Sequence, residues 1–200
     1  MSADSSDSAG SGALNVAEAV DAIRRGEIVA FPTESSHGLA VDAWNALAIE
    51  RMFALKGREP GKPPPVLVEG EEMIASLVTE IPARARQLMA KFWPGPLTLV
   101  LPAHDNVPAT LVHEGRIGIR QSPHPIASAL AQAGPITATS ANLAGQPPAF
   151  DAQAVREIFG DRVRIAAGDS GRAVPSTVVR VKSNGDLEVL RVGAIAPTLL

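Results

Sequence analysis

LNVAEAVDAIRRGEIVAFPT, residues 14–33, decides the fold class. Its first part carries apolar side chains at helical spacing and stops at Gly26, while IVAFPT is the short unbroken apolar run of a buried strand. A helix feeding a buried strand implies layers of both element types. The alternation then continues along the chain. NALAIERMFALKGR reads as helix, and after the Pro-rich break EPGKPPP come VLV as strand and EEMIASLV and PARARQLMAKF as helices, ended by the turn WPGP. LTLVLPA and GRIGIR read as strands, IASALAQA as helix, PITATS as extended, and DAQAVREIF as helix; RVRIAA, STVVRV and LEVLRV close the chain as strands. The last two are joined by the turn KSNGD and are expected to be antiparallel, so the fold class is α/β with a mixed sheet.

With 200 residues, 46% of them hydrophobic, the chain is long enough for one well-filled core, and a single domain over residues 14–200 is expected. Residues 1–13, MSADSSDSAGSGA, offer little apolar surface to offset the entropy of ordering them and are expected to be a disordered tail. They contain neither a basic stretch nor an apolar core, so they do not read as a secretory signal. No segment has the length of apolar sequence that spans a membrane. Cysteine is absent, which excludes disulfides and thiolate chemistry and fits a cytoplasmic address. A formal charge of −3 argues against a protein that coats nucleic acid.

Several stretches carry candidate chemistry. FPTESSHGL, residues 31–39, places Thr33, Ser35 and His37 at alternate positions after a strand, where an extended backbone would put them on one face. LKGREPGKPPP gathers Lys56, Arg58 and Lys62 in a Gly/Pro loop, a cluster suited to phosphate oxygens, although a solvated basic loop fits the local sequence equally well. There is no GxxxxGK[ST] and no GxGxxG after a strand. In TATSANLAGQPP, Ser140 and Asn142 leave a strand end, where α/β folds commonly bind ligands, though both are also ordinary turn residues. Arg120 ends GRIGIR and could grip a carboxylate through two hydrogen bonds, or be a surface arginine. Ser176 and Arg191 say nothing by themselves. GDSG, residues 168–171, echoes a serine-protease loop, but an alternating α/β chain is the wrong setting for that protease fold, so Ser170 is not expected to be a nucleophile. The four histidines show no HxxxH or HxH spacing, and no dedicated metal site is expected.

Taken in order, FPTESSHGLAVDA, ALKGREPGKPPPVLV, FWPGPLTLVLPA, GRIGIR, TSANLAGQPP, PSTVV and RVGAI resemble the motifs of the YrdC/Sua5 family of threonylcarbamoyl-AMP synthases over roughly residues 14–195. The resemblance implies an open, twisted α/β sheet with a concave, positively lined cavity. It implies condensation of L-threonine, bicarbonate and ATP, with release of pyrophosphate, for tRNA modification completed by a separate threonylcarbamoyl transferase. ATP is then a substrate, with Mg²⁺ arriving on it. By position, Lys56 and Arg58 match the family's K-x-R at the ATP phosphates, where catalysis is expected, and Lys62 adds to that loop. Ser140 and Asn142 match its S-x-N at the nucleotide, and Arg191 a further ATP contact. Arg120 matches the arginine for the threonine carboxylate, with Thr33 and Ser176 in the threonine pocket. The length resembles the short YrdC type.

The family's PT[ED]TVYGL is PTESSHGL here, which puts Ser35, Ser36 and His37 in a substrate-facing motif and makes Ser35 and His37 candidate specificity residues. Glu59 and Arg180 are further departures. An altered acceptor amine, or a YciO-like relative that binds nucleotide or RNA without turnover, is the alternative reading.

Overall fold

The computed structural model describes residues 12–57, 61–182 and 184–200. Residues 1–11 of the expected tail and Ser183 of the KSNGD turn lie outside the described residues. Asn15 opens helix α1 (Val16–Arg24) with a reciprocal capping box, its side chain accepting from Glu18 N–H at 3.1 Å while the Glu18 carboxylate accepts from Asn15 N–H at 2.8 Å. Asn45 caps α2 (Ala46–Lys56) one way only, its side chain accepting from Ala48 N–H at 3.0 Å, and left-handed Gly57 (φ 61°) stops the helix. That stop makes Lys56 the last helical residue.

Strand β1 (Val29–Pro32) turns back into β2 (His37–Ala40) as an antiparallel hairpin with Phe31 opposite Gly38. Both strands are buried along their whole length, which accounts for the unbroken apolar run. Alternate side chains enter different cores: Ile28, Ala30 and Leu39 join the larger cluster with α2, while Val29, Phe31 and Ala40 join the smaller one. Gly38 is glycine for a packing reason, since a Cβ there would stand 3.0 Å from the Phe31 ring. The hairpin replaces the single extended segment expected for residues 31–37. Thr33–Ser36 form the turn, so Thr33, Ser35 and His37 do not share one strand face.

The remaining elements are β3 (Val66–Leu67), α3 (Glu71–Leu77), α4 (Ala83–Phe92), β4 (Leu97–Pro102), β5 (Arg116–Arg120), α5 (Pro125–Gln132), β6 (Ile136–Thr137), β7 (Thr139–Ser140), α6 (Ala152–Phe159), β8 (Arg164–Ile165), β9 (Thr177–Val181) and β10 (Leu187–Arg191). Strands divide into a four-stranded sheet ordered β7-β2-β1-β8 and a six-stranded sheet ordered β10-β9-β4-β5-β3-β6. Both mix parallel and antiparallel pairs, and β9 and β10 are antiparallel, so the mixed α/β reading holds, with two sheets in place of one. PITATS is where they meet: β6 belongs to one sheet and β7 to the other, with only Ala138 between them. Thr137 fastens this seam, exchanging backbone and hydroxyl hydrogen bonds with Val41 at 3.0 and 3.1 Å. No described helix is long and apolar enough to cross a membrane.

Candidate functional site

A cavity of about 410 Å³ opens at the seam, floored by Leu67, Ala138 and Thr139. Thr33, Ser35, His37, Arg120, Ser140, Ser176 and Arg191 all line it, though they come from segments scattered along the chain. A volume of this size is in the range of small-ligand sites.

Arg120, at the end of β5, is buried and fully oriented. Its Nε donates to the Gly95 carbonyl at 2.9 Å, and its Nη2 pairs with the Glu34 carboxylate, which also accepts from Ser122 Oγ at 3.0 Å. The WPGP turn supplies Gly95, where an added Cβ would overlap the Phe92 carbonyl oxygen. Burial alone would raise Glu34, but the Arg120 charge and hydrogen bond, with help from its own backbone and Ser122, hold it below the ordinary 4.5. Nη1 of Arg120 makes no hydrogen bond to another described residue and is the donor available to a ligand.

Arg191 closes the opposite wall. Its Nε and Nη2 donate to the Ser176 carbonyl at 3.1 and 2.8 Å, and Nη2 also reaches Ser176 Oγ at 3.1 Å. Thr98 Oγ1, within β4, holds that hydroxyl at 2.8 Å. Burial, and then the nearby Arg120 charge, lower the Arg191 pKa, so the two guanidiniums sense one another. Glu34 pairs with Arg120, while Arg191 has no carboxylate partner among the described residues, which favours an anion in the cavity.

Lys56 sits behind Ser140, only 3% exposed. Its Nζ donates to the carbonyl of Ser140, to the carbonyl of Asn142 at 2.8 Å and to Asn142 Oδ1 at 3.0 Å, while Ser140 Oγ donates to the same Oδ1 at 2.6 Å. The ammonium thus gathers the S-x-N loop around the end of α2. Lys62 is exposed on the loop entering β3, and Arg58 and Glu59 lie outside the described residues. Among the described residues, no group of three or more His, Asp or Glu side chains is placed to hold a metal ion.

Sequence reasoning missed the partners. Glu34 stood beside Thr33 in the motif but its pairing with Arg120 links positions far apart in the chain, and Thr98 is a hydroxyl inside an apolar strand. GDSG, set aside as a protease echo, packs on the Thr33–Ser36 turn, with Gly171 N–H donating to the Thr33 carbonyl at 2.9 Å and Ala173 N–H to that of Glu34 at 3.0 Å. A Cβ on Gly171 would overlap the Glu34 carbonyl oxygen. Gly171→Ala is therefore expected to lower the unfolding temperature by several degrees, whereas Gly145→Ala on the exposed 143–147 loop, where a Cβ meets open space, costs only the strain of its φ of 78°. Equal losses in a thermal melt would show that the 168–173 segment does not pack this way.

The fold and site define an α/β protein with a sheet-seam cavity walled by guanidiniums and hydroxyls, groups suited to a small anion. More particularly, the chain belongs to the Sua5/YciO/YrdC family, whose model, described as telomere recombination, matches residues 21–193. A threonylcarbamoyl-AMP synthase of Chromohalobacter salexigens is 36% identical over 178 residues, covering 86% of this chain and 95% of the relative. One from Pyrococcus abyssi is 38% identical over 162 residues, covering 78% of this chain and 48% of the relative, so the chain spans about half of that protein's length. The solved structure of P. abyssi Sua5 complexed with L-threonine superposes with a TM-score of 0.82 at 36% identity, covering 89% of this chain and 54% of that one.

Proposed function

We propose that the protein is a threonylcarbamoyl-AMP synthase, a nucleotidyltransferase that condenses L-threonine, bicarbonate and ATP. The observation that carries this reading is the gathering of Thr33, Arg120, Ser176 and Arg191 on one cavity in a fold whose relative was solved with L-threonine. Arg120 keeps Glu34 and Gly95 on two of its nitrogens and offers Nη1 to the amino-acid carboxylate. Thr33 and Ser176 line the same pocket, and Ser35 and His37 border it.

Bound there, the threonine amine attacks the bicarbonate carbon and water leaves, giving a carbamate; a carbamate oxygen then attacks the α-phosphorus of ATP and pyrophosphate departs. No protein nucleophile is required. The work is orientation and charge stabilisation, which intramolecular positioning and fixed cations supply. By the family motifs they match, Ser140, Asn142 and Arg191 take the nucleotide, and Lys56, Arg58 and Lys62 its phosphates. A Mg²⁺ carried in on the triphosphate would add charge neutralisation to that of Lys56, Arg58 and Lys62. The product passes to a separate tRNA-modifying transferase.

Pyrophosphate release from ATP and bicarbonate tests the reading across a panel of amino acids. Strict dependence on L-threonine is the expected result. Release with a different amine moves the acceptor assignment to Ser35, Ser36 and His37, and ATP or RNA binding without any release favours a binding module.

A further inference from the structure

GDSG and PTESSH, remote in sequence, are joined by a side-chain bridge. Ser170 Oγ lies 2.7 Å from His37 Nδ1 and accepts a longer bond, 3.4 Å, from the Thr33 backbone N–H. Two backbone bonds flank it, Gly171 N–H to the Thr33 carbonyl and Ala173 N–H to the Glu34 carbonyl. On its other side the segment is held by His124, whose Nε2 meets the Asp169 carbonyl at 3.1 Å. The Thr33 hydroxyl in turn donates to the Ser36 carbonyl at 2.6 Å, which sets the turn that lines the cavity.

We propose that Ser170 and His37 are a positioning pair for the Thr33–Ser36 turn, so that amino-acid binding weakens when the pair is broken, whether by substitution or by acid. This rests on the functional reading above and deepens it, since it names what keeps the amino-acid wall in place.

Ser170 Oγ receives the Thr33 N–H and keeps one lone pair and one proton for His37, and the pair as proposed has the serine hydroxyl donating to Nδ1. A neutral ring accepting at Nδ1 carries its proton on Nε2, and that atom is buried with no hydrogen-bond partner among the described residues. In that arrangement His37 is neutral, and its side chain is wholly buried. A second proton would have to enter at Nδ1, where it would turn the bond with Ser170 around and leave the serine's own proton in need of a new acceptor. Every charged or titratable group facing the ring bears on this. Burial lowers the His37 pKa most; the Phe150 backbone, Asp151 at the start of α6 and Asp169 on the 168–171 segment pull it up, and His124 at the start of α5 pushes it down. The net shift is downward. Between the ordinary 6.5 and the lower folded value the unfolded chain binds more protons than the folded one, so stability falls as pH drops through that window and is fully present above it.

Calorimetric titration with L-threonine, run from alkaline to mildly acidic pH, tests the pair, with ¹⁵N spectra of the imidazoles as a readout that needs no substrate. In the unaltered chain the spectra should show His37 neutral with its proton on Nε2, and threonine affinity should fall on acidification. Ser170→Ala should weaken threonine binding about tenfold, the usual worth of one lost hydrogen bond, with ATP affinity unchanged, and Ser170→Thr should restore it. His37→Gln should flatten the pH dependence. A loss of threonine and ATP binding together in Ser170→Ala, or a profile flattened by His124→Gln and not by His37→Gln, overturns the assignment. So does a His37 that carries its proton on Nδ1. No threonine binding by the unaltered chain overturns the functional reading and the pair's role with it; threonine binding with an unmoved Ser170→Ala affinity overturns the pair alone.

Discussion

Lys56→Ala is expected to lower pyrophosphate release about a hundredfold or more, mostly through weaker ATP binding, because each hydrogen bond from a charged group contributes about 1.5–3 kcal/mol. The ammonium holds three acceptors in the S-x-N loop, and none of them can pair with another once it is gone: the carbonyl oxygens of Ser140 and Asn142 and the Asn142 Oδ1 all accept only. Ser140 Oγ still reaches Asn142 Oδ1, so the loop should loosen without unfolding. Arginine is not a substitute. Its planar fork cannot aim three donors at oxygens converging on one point, so Lys56→Arg should behave much like Lys56→Ala. Steady-state kinetics with ATP and threonine varied separately would decide it; unchanged constants in both variants would remove the loop from the nucleotide site.

Glu34→Gln should have the largest effect on stability. Side chains of Arg120 and Glu34 are 10% and 18% exposed, and removing one partner of so buried a pair costs about 3–5 kcal/mol because a charge is left without its counter-ion. In a chain of this size each kcal/mol moves the unfolding midpoint about 2–4 °C, so a drop of roughly 10 °C is expected. The pH dependence has a definite sign. Glu34 is held below 4.5 in the folded state, so its contribution is present above 4.5 and is lost as pH falls through the lower folded value. The variant should lose less on acidification than the unaltered chain. Replacing both partners, as in Glu34→Gln with Arg120→Met, should recover much of the midpoint while leaving threonine unbound, which separates the pair's structural part from its ligand part. A Glu34→Gln midpoint equal to that of the unaltered chain would contradict the pairing.

Helices were legible because their signals are local. Asn15 with Glu18, Asn45 and Gly57 mark ends that chain chemistry alone dictates. Strand existence was legible too, from apolar runs such as IVAF and LTLVL, and so was the antiparallel closing pair. The β1–β2 hairpin was not, since its turn has no Gly-Pro or Asn-Gly signal and is made by the Thr33 hydroxyl bonding the Ser36 carbonyl. Nor does PITATS announce that its halves serve different sheets, because both are short and extended with one residue between them, and which sheet each joins is set by distant strands. At the site, motif residues facing the cavity could be named one by one. What positions them could not: Glu34 on Arg120, Thr98 on Ser176 and Ser170 on His37 are contacts between distant segments, and single residues of those types carry no mark of the partner they will meet.

Ala138 is the whole connection between the last strand of one sheet and the first of the other, which bears on how the molecule comes apart. With a single residue of slack, β6 cannot leave β3 without dragging β7 from β2, and the sheets lack the length of chain to melt in turn. Unfolding should then be one cooperative event reported identically by probes in either sheet. A ligand seated on that residue braces both sheets together, and its binding energy appears as a rise in one shared melting transition.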